Sequence, residues 1–277
     1  FISKEDHDLF GEGVQTLEVE NPISQNMTVM RTNLISGLVS TFLYNFNHGQ
    51  ESQRLFETGN TFTLNNSKDL TEKNTLAGLM YGKVSKDNWK EKGEDTSFFD
   101  LKGVVQDLLG DFKGYRSYVA CTIDFLHPGM SSLIKQDDKV IGFMGSLQPS
   151  ILDHIGLKKD VFIFSIELDG LKKNTSSTYK NFSKFPSSSR DLAFIINKNI
   201  TSSSLENVIK SSAGKFFKDI EIFDVYEGKG IDDNKKSIAI SVSWQSMEQT
   251  LQDSHIDDAV ERIVNSVKKE LDGELRI

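Results

Sequence analysis

Between Ser237 and Trp244 the chain alternates strictly, with Ile238, Ile240, Val242 and Trp244 apolar and Ser237, Ala239, Ser241 and Ser243 small. A period of two sends these sets to opposite faces of a strand, one suited to burial and one left thin. Around it the pattern changes period several times. Asp191 to Ile196 is a short apolar run closed by Asn197-Lys198-Asn199, which predicts a strand and a turn. Ser203-Ser204-Leu205-Glu206 has the spacing of a capping box, and Leu205, Val208 and Ile209 form the stripe of the helix it would open, with Gly214 ending it. Ile220 to Tyr226 alternates again as a strand. Asp253 or Ser254 can cap a long helix whose Ile256, Ala259, Ile263, Val264, Val267 and Leu271 recur at helical spacing, and Glu274 to Ile277 supplies a last strand after Gly273.

From Phe182 to the end the order is therefore strand, helix, strand, strand, helix, strand, the split βαβ or ferredoxin-like arrangement. Its helices cover one face of an antiparallel sheet and leave the other bare. Placing the greasy side of Ser237 to Trp244 under the helices buries Phe223 and Val225 and leaves Asp224, Tyr226, Ser237, Ala239 and Ser241 on the bare side. That side is the candidate site. A tyrosine ring offers a stacking face for a nucleic acid base. A carboxylate only accepts hydrogen bonds, so it suits the paired N–H donors of guanine's Watson–Crick edge. Small serines and alanines let a base come close.

Upstream the pattern predicts helices on a mainly antiparallel sheet. Leu34, Leu38, Val39, Phe42, Leu43 and Phe46 make a wide stripe on a helix that Thr32 or Asn33 can cap, and Leu101, Val104, Val105, Leu108 and Leu109 make another. Gln136-Asp137-Asp138 between apolar segments reads as a hairpin turn, His127-Pro128-Gly129 as a turn, and Val161 to Leu168 as a buried strand. The Ser, Thr, Lys and Asn run from Lys172 to Ser183 is the natural boundary. The organisation expected is a first domain over 1–172, a linker over 173–181 and a second domain over 182–277.

The second domain resembles the ferredoxin-fold anticodon-binding domain of the beta subunit of bacterial phenylalanyl-tRNA synthetase. The resemblance rests on Phe185-Pro186 with Arg190 to Ala193, on Phe223-Asp224-Val225-Tyr226 with Gly228, on Lys236 to Ala239, on Thr250-Leu251 with Asp253 and Ile256, and on Leu275-Arg276. Two departures are Gln249, where the family has arginine, and His255, where it has an acid; the second is expected to be neutral for the fold. Asn21-Pro22-Ile23-Ser24, Met30-Arg31-Thr32, Arg54 to Gly59, Phe98 to Gly103 and Ile141 to Gly145 resemble the same subunit.

The resemblance implies an α+β fold class, a class II synthetase-like antiparallel sheet domain followed by a ferredoxin-like βαββαβ domain. It implies that Asp224, Tyr226 and Ser237, with Ala239 and Arg190 beside them, meet the anticodon of phenylalanine tRNA, whose first base is guanine. Lys184, Lys229, Lys235 and Lys236 are candidate phosphate contacts. The implied partners are that tRNA and the catalytic alpha subunit of an alpha2beta2 heterotetramer in the cytoplasm. ATP and magnesium belong to the whole enzyme, and no cofactor is expected in this chain. An active class II site needs arginines aimed at ATP phosphates. Before residue 180 the chain offers only Arg31, Arg54 and Arg116, and it has no Gly-x-Gly-x-Gly-x-x-Arg run. The first domain is thus expected to be catalytically silent, with Arg54 and Glu57 bracing a strand. The chain begins with Phe1 and reads as a fragment of a longer subunit.

Other chemistry finds little support. Five scattered histidines have no carboxylate or cysteine at ligand spacing, so no metal site is expected, and Cys121 alone reads as a buried, inert thiol. A net charge of −8 argues against coating nucleic acid by bulk charge, so local lysines must steer. No apolar stretch is long enough for a membrane span. A ferredoxin-like module that binds a regulatory small molecule is the alternative reading.

Overall fold

A computed structural model describes residues 1–276 apart from 12, 66, 68 and 174–180. The linker expected over 173–181 falls mostly outside the described residues. The chain divides into two compact units, Phe1–Ser177 and Thr178–Ile277.

The first unit is built on a six-stranded antiparallel sheet. Its strands are β1 (Gln53–Leu64), β2 (Leu70–Tyr81), β3 (Arg116–Ala120), β4 (Leu126–Gln136), β5 (Lys139–Leu147) and β6 (Phe162–Glu167), in the order β1-β2-β6-β5-β4-β3. The helices are α1 (Lys4–Phe10), α2 (Ile35–Asn47), α3 (Phe98–Gly110) and α4 (Pro149–His154). Both sheet faces carry a core. Ala77, Leu79, Phe143 and Ile163 pack with Leu34, Ile35, Leu38 and Phe42 around α2, whereas Met80, Met144, Phe162 and Phe164 pack with Leu101, Val105 and Leu109 of α3. The near-continuous apolar run of β6 follows from this, because a strand covered on both sides has no polar phase.

Asn33 tethers the start of α2, its Oδ1 accepting from Ile35 N at 2.9 Å. Ser97 and Asp100 form a full capping box on α3. The Asp137-Asp138 turn has both residues at positive φ, 47° and 71°, the backbone a two-residue hairpin of this hand requires. Two expectations change. His127-Pro128-Gly129 lies within β4, at a register break between Leu126 and Ser131, and His127 Nδ1 accepts from Gly129 N at 3.0 Å. Cys121 is half-buried rather than buried.

The second unit has strands β7 (Ser188–Asn197), β8 (Phe217–Tyr226), β9 (Lys235–Trp244) and β10 (Glu274–Leu275), with α5 (Ser202–Ser212) and α6 (Asp253–Leu271). The sheet order β10-β7-β9-β8 is antiparallel throughout. Leu192, Phe194, Ile196, Ile238, Ile240, Val242 and Trp244 face Leu205 and Ile209 of α5 and Ile256, Ile263 and Val267 of α6. Trp244 Nε1 donates to Ala213 O at 3.0 Å, which satisfies the indole within the core.

The helix starts differ from the expected caps. Thr201 caps α5, its hydroxyl accepting from Ser204 N, and Gln252 caps α6. Gln252 N donates to His255 Nδ1 at 3.2 Å, so the histidine at the departing position serves the cap.

Candidate nucleic-acid interface

The site depends on one irregularity in β8. Ile220 pairs with Val242 and Ile222 with Ile240, all on the helix side. The register then breaks between Ile222 and Asp224, and beyond it Asp224 pairs with Ala239 and Tyr226 with Ser237. Phe223 is the extra residue of a bulge. A simple alternation would have put Asp224 and Tyr226 on the same side as Ile220 and Ile222. The bulge lets the isoleucines go under the helices while the acid and the ring stand on the bare face. It also overturns the expected burial of Phe223 and Val225, which are 56% and 54% exposed on an edge strand with no neighbour beyond it.

The bare face therefore presents Tyr226 and Asp224 from β8, Ser237, Ala239 and Ser241 from β9, and Asp191, Ala193 and Ile195 from β7. Tyr226 is 38% exposed, and Ser237, between its cross-strand neighbours Tyr226 and Ile195, is only 3% exposed. The serine is a floor of the site rather than an open contact. The Tyr226 hydroxyl donates to Lys229 O at 3.3 Å. A Cβ on Gly228 would lie 2.8 Å from that hydroxyl, so the glycine makes room for the ring to lie back over the turn.

Arg276 joins this face without having been marked out for it by the sequence. Its backbone N–H donates to Ala193 O at 2.7 Å, extending β10 by one residue, and its guanidinium carbon stands 5.6 Å from the centre of the Tyr226 ring. A cation over a π-face is attracted by the ring quadrupole. Asp191, Asp219, Glu221 and Asp224 all belong to the same face, so its charge is mainly acidic.

The remaining candidates are dispersed. Arg190 pairs with Val242 on the opposite, helix-covered side, and its guanidinium meets Asp253 at 3.2 Å and Asp257 at 4.0 Å at the start of α6. It ties helix to sheet and does not stand beside Asp224. Lys236 also falls on the helix-side register, and its ammonium donates to Lys198 O at 3.0 Å. Lys235 Nζ lies 4.0 Å from Asp232, while Lys184 and Lys229 are exposed.

Arg31 is held by Glu57 at 2.5 Å and Arg54 donates to Val84 O at 3.4 Å, so these two cations and the acid serve the scaffold of the first unit. Among the described residues no three histidine, cysteine or acidic side chains come together as a metal site, and no helix is long and apolar enough to cross a membrane.

The family model described as phenylalanyl tRNA synthetase beta chain CLM domain matches residues 1–168, and that of the ferredoxin-fold anticodon binding domain matches 183–276. The chain is 35% identical, over its whole length, to the phenylalanine–tRNA ligase beta subunit of Pseudomonas putida, and 35% identical to that of Haemophilus influenzae. It spans 35% of the length of each. The chain belongs to the phenylalanyl-tRNA synthetase beta-chain family, and its second unit is that family's ferredoxin-fold anticodon-binding domain.

Proposed function

We propose that the bare face of the second unit binds the anticodon of phenylalanine tRNA, with Tyr226 as stacking platform and Asp224 as reader of the first base. The observation that carries this is the placement of the ring and the carboxylate two residues apart on the same uncovered surface, beyond the β8 bulge. A guanine stacked on Tyr226 would turn its N1–H and N2–H donors to the Asp224 carboxylate, which can accept both. Adenine offers an acceptor at N1, so it loses one of the two bonds and sets a lone pair against the carboxylate. The Arg276 guanidinium sits where it can close on the exposed face of the base. The acidic surroundings discourage phosphates from the middle of the sheet, so backbone contacts belong to its ends, at Lys184 and Lys229, and the salt dependence of binding is shallow.

On this reading the first unit packs against a catalytic alpha subunit in the cytoplasm. Aminoacylation, with its ATP and magnesium, takes place there rather than here.

The test is binding of an anticodon stem-loop to the full chain. Tyr226→Ala should cost roughly 1–3 kcal/mol of affinity with the unfolding midpoint unchanged. Asp224→Asn should lose the preference for guanine over adenine at the first position. Equal binding by parent and both variants, or an anticodon loop left unprotected in footprinting, would overturn the reading. Tight binding of free phenylalanine with none of the stem-loop would favour the small-molecule regulatory module instead.

A further inference from the structure

A second concave site lies in the first unit, lined by none of the residues assigned to the anticodon. It has a volume of about 650 Å³ and opens between the start of α3 and strands β3, β4 and β5. Enclosures of about 300–1,000 Å³ hold small organic ligands. Its walls are mainly apolar: Phe98 and Phe99 on the first turn of α3, Tyr118 on β3, and Met144 and Phe162 at the base. Phe99 is 77% exposed at the rim, a large apolar surface that the fold itself leaves without cover.

One side chain gives this cavity a sign. Lys102, one turn further along α3, lines it with its ammonium 5.2 Å from the centre of the Tyr118 ring, and makes no ion pair with a carboxylate among the described residues. The acid in the lining, Asp160, already accepts from the Ser146 hydroxyl at 3.2 Å. The first turn of α3 also lines the cavity, its start already capped by Ser97 and Asp100, so the charge available to a ligand is that of Lys102. Tyr118 has its phenol pKa pushed up by burial, so it stays a neutral donor beside the lysine.

We infer that this cavity is a binding site for a small aromatic monoanion, its ring among Phe98, Phe99 and Phe162 and its carboxylate on Lys102. No covalent step is involved.

The probe is 3-phenylpropanoate, titrated calorimetrically into the full chain with amide NMR shifts recorded in parallel. Saturable binding of one molecule per chain, with shifts at Ser97, Lys102 and Ser132, is expected. Lys102→Met and the neutral probe 3-phenylpropanamide should each weaken it about tenfold or more, the loss of a charged hydrogen bond. Phe99→Ala, at an exposed position where folding loses little, should weaken it severalfold. No saturable binding at millimolar probe would overturn the inference. So would equal affinity for 3-phenylpropanoate and phenethylamine, or undiminished binding by both variants.

Discussion

The two sheets of this chain differ in how many of their faces are covered. The six-stranded sheet is sandwiched, with α2 on one side and α3 on the other, and its central strand β6 is buried at five of six positions. The four-stranded sheet is covered only by α5 and α6, and from Ile238 to Trp244 β9 alternates buried and half-buried. A sheet dry on both sides is a scaffold, and its ionisable groups serve it, as Arg31 with Glu57 and Lys73 with Glu167 do. A sheet dry on one side keeps a surface on which a ring and an acid cost little to display. The residues proposed to meet the anticodon accordingly belong to the half-covered sheet.

Substitutions can break that contrast. The largest effect belongs to the covered face: Trp244→Ala removes a fully buried indole and its bond to Ala213, and should cost roughly 3–5 kcal/mol in denaturant unfolding of the second unit. A loss as small as that of a surface change would mean that β9 is not under the helices. Tyr226→Ala, eighteen residues upstream in the same sheet, should by contrast change stability by less than about 0.5 kcal/mol, as surface substitutions do, while weakening the stem-loop.

A cap in the sandwiched unit gives an intermediate effect. Ser97→Ala should destabilise by about 1 kcal/mol, the usual worth of a helix cap, measured by thermal melting. Its partner Asp100 has its carboxyl held below the usual range by hydrogen bonds from the Ser97 hydroxyl and backbone N–H. That contribution is complete above pH 3.8, the ordinary value, and is lost as pH falls through the depressed one. Asp100→Asn should flatten the acid limb of the melting curve; an unchanged limb would remove the cap from the account.

The smallest effect separates the two faces at one strand. Arg190→Met should cost at most about 1 kcal/mol, since its ion pair with Asp253 is exposed, and should leave stem-loop binding untouched. Arg276→Met should do the reverse, lowering affinity severalfold with stability kept. If Arg190 proved the more important for binding, the assignment of faces would be wrong.

The elements whose signal is local were legible in the sequence. The strict alternation of β9, the helical stripe of α6 and the near-continuous apolar run of β6 each report the face they see. The bulge at Phe223 was not, because an extra residue in a ladder leaves no mark in composition; Phe223 and Val225 look like core and lie open. Caps slipped by a residue or two, at Thr201 and Gln252: Thr and Ser compete closely at the start of α5, and at α6 the Gln252 to His255 box sets the start one residue ahead of Asp253. Arg276 carries no signal of its own beyond the family likeness of Leu275-Arg276. Its place over Tyr226 joins the two outer edges of the sheet, a contact decided by strand order and invisible to spacing along the chain. The cavity beside α3 is likewise made by distant segments.

The irregular step in β8 absorbs one residue, so the strand reaches its bare face as though Phe223 were not in the count. Deleting Phe223 would let β8 alternate without a break, Ile220 and Ile222 staying under the helices while Asp224 and Tyr226 keep the open side. A one-codon loss there would leave the surface facing as it does and remove only the local bend and twist that the extra residue adds.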